Sequence, residues 1–83
     1  MEWDVTHSYI DEMVEKQKAL LLDLGRKIVP TLTPEDMLQP NDYLELEEIP
    51  VFRYEEGILA GLLSAQIALK SLERRGTFKS MND

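Results

Sequence analysis

Thirteen consecutive residues, Gly57 to Leu69, carry no charge, and only Ser64 and Gln66 among them have polar side chains. A stretch this long and this apolar has to be covered by something. Thirteen residues exceed a buried strand, and the pattern does not alternate. Ile58, Leu62, Ala65, Leu69 and Leu72 step by four, three, four and three, the repeat of a helical seam. Leu59, Leu63 and Ile67 lie off that seam and are apolar as well. A helix apolar on one stripe covers one neighbour, whereas a helix apolar nearly all round is buried by several. Gly57, Gly61 and Ala65 recur at four-residue spacing, a ridge along which another backbone can approach closely. Mid-helix glycines cost about 1 kcal/mol each relative to alanine. Close packing would offset that cost; the alternative is that the glycines are tolerated without a special contact.

The whole chain has 83 residues, enough for one small domain with a modest core. Domains of this size usually lean on disulfides, metal or oligomerisation. Cysteine is absent, so disulfides and thiolate metal sites are excluded, and a reducing compartment is consistent with this. Oligomerisation is the common device that remains. The N-terminus carries Glu2 and Asp4 where a secretory leader would carry lysines. The uncharged run is shorter than the roughly 20 residues a membrane span requires. The expectation is therefore a cytoplasmic protein with no membrane span.

A second helix reads at the start of the chain. Trp3, His7, Ile10, Val14, Gln17, Leu21, Leu24 and Ile28 step by four and three, and Met13 and Leu20 widen the stripe. Asp4, Thr6 or Ser8 would cap it, Thr6 placing Val5 and Ile10 in staple positions. Glu12 with Lys16 and Asp23 with Lys27 are acid-first pairs four apart, each contributing about 0.2–0.5 kcal/mol. Pro30 stops the helix. The pattern predicts a helix over 4–29, an acidic connector over 30–50, a helix over 51–75 ending at Gly76, and a flexible tail over 77–83. Residues 1–76 form a single domain.

All four prolines fall in the connector. Thr33-Pro34-Glu35-Asp36 is a helix start, with Thr33 capping and Pro34 in the first turn. Gln39-Pro40-Asn41-Asp42 ends that turn. Tyr43-Leu44-Glu45-Leu46-Glu47 alternates, which predicts an extended strap. Leu32, Met37, Leu44, Leu46, Ile49 and Phe52 are too many apolar residues for a free linker, so most should pack on the two helices.

The net charge of −7 is unevenly spread. Residues 31–56 hold eight acids against Arg53, a net −7, whereas residues 1–30 sum to −2 and residues 57–83 to +2. Phosphate contacts need a basic face, so nucleic-acid binding is disfavoured.

Few residues suggest chemistry. His7 is the only histidine and lies three residues after Asp4. A di-metal carboxylate bundle needs two Glu-x-x-His pairs and two further glutamates, which this chain lacks. Asp42, Glu45, Glu47 and Glu48 resemble a calcium loop in composition only, because the central glycine is missing. No serine sits in a nucleophile elbow, and Gly57 and Gly61 lie inside a helix, not in a phosphate loop. No catalytic, cofactor-binding or metal-ligating residue is assigned, and no cofactor is expected.

The fold expected is all-α: a two-helix antiparallel hairpin with a long, partly ordered connector, dimerising into a four-helix bundle. The function expected is a non-enzymatic protein–protein interaction module, as a small adaptor, chaperone-like subunit or regulator. Its dimer interface would comprise Ile58, Gly61, Leu62, Ala65, Leu69 and Leu72. Its partner surface would comprise Tyr43, Leu44, Glu45, Leu46, Glu47, Glu48 and Phe52, suited to a basic protein. The rival reading is a small helical metal-binding or enzymatic bundle built on clustered carboxylates. A third is a helix lying on a membrane, with Lys70, Arg74 and Arg75 at the rim.

Overall fold

Two long helices account for most of the protein. The computed structural model describes residues 2–38 and 43–79, with Leu38 and residues 76–79 described by their backbone alone. α1 spans Trp3–Arg26, α2 is the short helix Leu44–Glu47, and α3 spans Pro50–Lys79. All regular structure among the described residues is helical, and α1 packs antiparallel against α3 as a hairpin. The molecule is a rod of 51 × 19 × 19 Å, with a radius of gyration of 16.3 Å. A chain of this length packed as a globule would have a radius of gyration near 12 Å.

α1 begins at Trp3, earlier than the Thr6 cap would place it. The Thr6 amide donates to the Glu2 carbonyl at 2.9 Å, and Glu2 adds no side-chain cap. Ile10, Val14, Leu21 and Gly25 are its buried residues, all on the predicted stripe except Gly25. The helix ends at Arg26, three residues short of the expected end at Val29, and the chain continues in turns. Ile28 and Val29 both donate to the Gly25 carbonyl. Pro30 has no amide to extend the helix and turns the preceding residues away from helical geometry. Glu12 and Lys16 form their ion pair at 3.4 Å, while Lys27 falls beyond the helix that would have aligned it with Asp23.

The core lies at the closed end of the hairpin. Phe52, Leu21, Leu32 and Leu46 are each no more than 2% exposed, with Leu22, Leu24, Val29, Met37, Tyr43, Ile49 and Leu59 packed around them. The four central side chains come from α1, the turn after it, α2 and the start of α3. The connector is thus part of the core. A Cβ placed on Gly25 would collide with Leu32 Cδ2 and touch Phe52, so the absence of a side chain there lets the connector close over α1. Arg26 Nε donates to the Leu32 carbonyl at 2.7 Å and fixes the same turn.

Thr33 caps the 3₁₀ turn Asp36–Leu38 as its sequence suggests. The Asp36 amide donates to Thr33 Oγ1 at 3.2 Å, and the Thr33 amide donates to Asp36 Oδ2 at 3.0 Å. This is a reciprocal capping box with aspartate as the acid. The Thr33 amide, then its hydroxyl, hold the Asp36 carboxyl below its ordinary value, with a smaller contribution from Tyr43. The expected ending of this turn at Gln39-Pro40-Asn41-Asp42 lies outside the described residues.

The extended strap over Tyr43–Glu47 is not what forms. The segment coils into α2, with Leu46 and Glu47 both donating to the Tyr43 carbonyl. Alternation of two leucines and two glutamates fits one helical turn as well as a strand, and a lone strand has no ladder partner. Coiling buries Leu46 completely and leaves Leu44 outside. α3 starts at Pro50, a favoured first helical residue. It runs through Gly76 instead of ending there, since a glycine stops a helix only by turning left-handed, and no described glycine has positive φ. Residues 80–83 of the predicted tail lie outside the described residues.

Candidate interaction surface

Beyond the core the two helices meet along a thin seam. Ile10 and Val14 are buried, and Leu59, Leu62, Leu63, Gln66 and Leu69 of α3 are half-buried. Polar bridges set the register. Gln17 Nε2 donates to the Glu55 carbonyl at 2.9 Å and to Glu55 Oε1 at 2.7 Å. Gln66 Nε2 donates to Asp11 Oδ1 at 2.6 Å. His7 Nε2 lies 2.6 Å from Glu73 Oε1, with the Trp3 ring stacked on the imidazole at 5.6 Å. The seam glutamine and the histidine singled out in the sequence thus both tie α1 to α3. Among the described residues, no three His, Asp or Glu side chains are grouped to hold a metal ion.

Because α3 is apolar nearly all round, α1 covers only part of it. Ile58 is 37% exposed, Leu72 38% and Tyr54 68%. Val51, Gly61, Ala65 and Ala68 are exposed with them. Of the six residues expected to form a dimer interface, Ile58, Gly61, Ala65 and Leu72 lie on this open face. Leu62 and Leu69 turn toward α1. On the same side of the hairpin, Val5, Tyr9 and Met13 of α1 are exposed, and they line a groove of about 260 Å³ with Thr6, Ile10 and Leu69. Leu69 therefore joins the open stripe of α1 to that of α3. The opposite side holds a groove of about 590 Å³ walled by Ala19, Leu22, Met37, Leu59 and Leu63.

The acidic connector divides differently from its sequence expectation. Leu46 and Phe52 are core residues and present no surface, and Tyr43 is half-buried against the core. Leu44, Glu45 and Glu48 are exposed. Glu47 turns inward to Arg53, whose Nη1 lies 3.2 Å from Glu47 Oε1 and donates to the Glu47 carbonyl. Arg53 Nε also reaches Glu56 Oε1 at 3.3 Å. This arginine clamps α2 to the first turns of α3.

Burial, and then the nearby Glu47 charge, push the Glu56 carboxyl above its ordinary value, with Arg53 opposing them. Ionised Glu56 therefore costs stability at pH values above its raised folded pKa. That cost fades as the pH falls through it. Glu56→Gln is expected to raise the melting temperature slightly at pH 7, with the gain shrinking toward pH 4. A pH series of thermal melts on both proteins checks it; a loss at pH 7 would mean that the Arg53 pair outweighs burial and repulsion.

No family model, curated protein or solved structure matches this chain. Among the described residues, no helix is long and apolar enough to cross a membrane.

Proposed function

We propose that the protein is a non-enzymatic interaction module that acts as a homodimer, two hairpins pairing into a four-helix bundle. The observation that supports this reading is the set of exposed apolar residues Val5, Tyr9 and Met13 of α1 and Ile58, Ala65 and Leu72 of α3, with Leu69 lining a groove beside the α1 residues. Domains normally pack two layers around a core. The open half of this hairpin is one layer, with apolar side chains on the side that a second layer would cover. The exposed Leu44, Glu45 and Glu48 of the connector would then remain outside the bundle, where glutamates at a rim steer a basic protein toward an apolar anchor. Light scattering after size exclusion should give twice the 9.6 kDa chain mass. A folded, cooperatively melting monomer at micromolar concentration would defeat the proposal.

A further inference from the structure

We infer that the second copy packs antiparallel along α3, about a two-fold axis level with position 63, so that the Gly61–Ala65 segments of the two copies cross. This rests on the homodimer reading and adds its orientation. Seven exposed residues of α3, Val51, Tyr54, Ile58, Gly61, Ala65, Ala68 and Leu72, step alternately by three and four and include no charge. That is a seam of three heptads, turned away from the stripe that meets α1, and α1 leaves it open.

Surface area supports a second copy as the occupant. A folded monomer of this mass exposes about 5,100 Å², and this chain exposes 6006 Å². The rod thus carries more open surface than a compact monomer, enough for a second copy to cover the roughly 800 Å² that each partner buries in an ordinary stable interface.

Side-chain size and charge decide the orientation. The seam is bulky toward its start (Val51, Tyr54, Ile58) and small from Gly61 to Ala68. An antiparallel pairing centred on position 63 sets Ile58 against the partner's Ala68, Tyr54 against the partner's Leu72, and Gly61 against the partner's Ala65. Within the seam bulk meets bulk only at the Tyr54 pairs, and Val51 at its end lies level with the partner's Arg75. A parallel pairing would stack Tyr54 and Ile58 on their own copies and leave the small segment apart. Gly57 and Gly61 have open space where a Cβ would stand, so nothing among the described residues uses their small size. Charge points the same way. Around the start of α3, Glu45, Glu47, Glu48, Glu55 and Glu56 face a single arginine, Arg53. Its far end carries Lys70, Arg74 and Arg75 against Glu73, beside the Glu2 and Asp4 end of α1. Antiparallel pairing brings the acidic end to the end that holds the bases, whereas parallel pairing sets five glutamates against five. Like charges disfavour such a juxtaposition strongly.

The chain has no cysteine, so a single spin label can be placed without background. Ser64→Cys and Arg75→Cys, each in the full chain, are labelled and the inter-copy distances measured by pulsed dipolar spectroscopy. At 1.5 Å per residue the antiparallel axis separates the two Arg75 positions by about 36 Å and leaves the two Ser64 positions near contact range. A short Ser64 distance with a long Arg75 distance is the expected result. Short distances at both positions would overturn the orientation and keep the homodimer. A dimeric mass with a long Ser64 distance would overturn the interface. No inter-copy coupling together with a monomeric mass would overturn the homodimer reading itself, and leave the seam to a different protein.

Discussion

Phe52→Ala is expected to abolish the folded state at physiological temperature. The side chain is 1% exposed and touches the core where α1, the connector, α2 and α3 meet. Removing a buried phenylalanine costs about 3–5 kcal/mol from lost transfer energy and the cavity left behind. A domain of this length holds roughly 4–12 kcal/mol in total, so the loss is a large share of the whole. Little else compensates, because the four best-buried large side chains are all in this one cluster. Urea titration followed by circular dichroism gives the answer. A midpoint shift worth less than about 1 kcal/mol would show that Phe52 is not central to the core, since only minor packing changes are that small.

Leu62→Asp and Ala65→Glu should fail in different ways, although they lie less than one helical turn apart. Leu62 is half-buried between α3 and α1. A carboxylate there loses hydration without gaining a partner, a cost on the order of 3 kcal/mol that falls on the single chain. Helical signal should fall with it. Ala65 is exposed in the single chain and central only in the proposed pairing. Ala65→Glu should change the intrinsic stability of the hairpin by no more than about 0.5 kcal/mol while halving the mass seen by light scattering. Asp23→Ala, exposed on the outer face of α1, is the control and should do neither. Identical melting of the Leu62 and Ala65 variants would mean that the two faces of α3 have been misassigned.

The contrast between those two residues shows where the sequence ran out. A four-three spacing placed both in one seam, because Ile58, Leu62, Ala65, Leu69 and Leu72 satisfy the rule together. So do Val51, Tyr54, Ile58, Gly61, Ala65, Ala68 and Leu72. When a helix is apolar over most of its circumference, periodicity identifies the helix but cannot say which stripe meets which neighbour. In the structure the half-burial of Leu62 and Leu69, and the bonds that Gln17, Gln66 and His7 make across the hairpin, fix the rotation. α1 was easier to read because charged residues mark its outer face. The connector was legible in its burial and not in its shape. Its leucines had to pack somewhere, but two residues of each kind cannot distinguish a strand from one helical turn. Gly25 gave no signal at all, since its value lies in contact with Leu32, seven residues on, and Phe52, twenty-seven residues on.

The one-ended core also sets how the hairpin responds to load. Its rigid part is the clasp formed by Leu21, Leu32, Leu46 and Phe52, and the two shafts leave that clasp side by side. Toward the free ends they are tied by slim polar bridges, Asp11 to Gln66 and His7 to Glu73. Such an object has the compliance of tweezers: stiff at the hinge, and soft at the tips in proportion to their distance from it. Spreading the tips would break these two side-chain bonds and uncover Ile10 where it meets α3, while leaving the clasp in place. The spacing of the shafts therefore depends on what lies between them, and the clasp depends on the connector that closes over it.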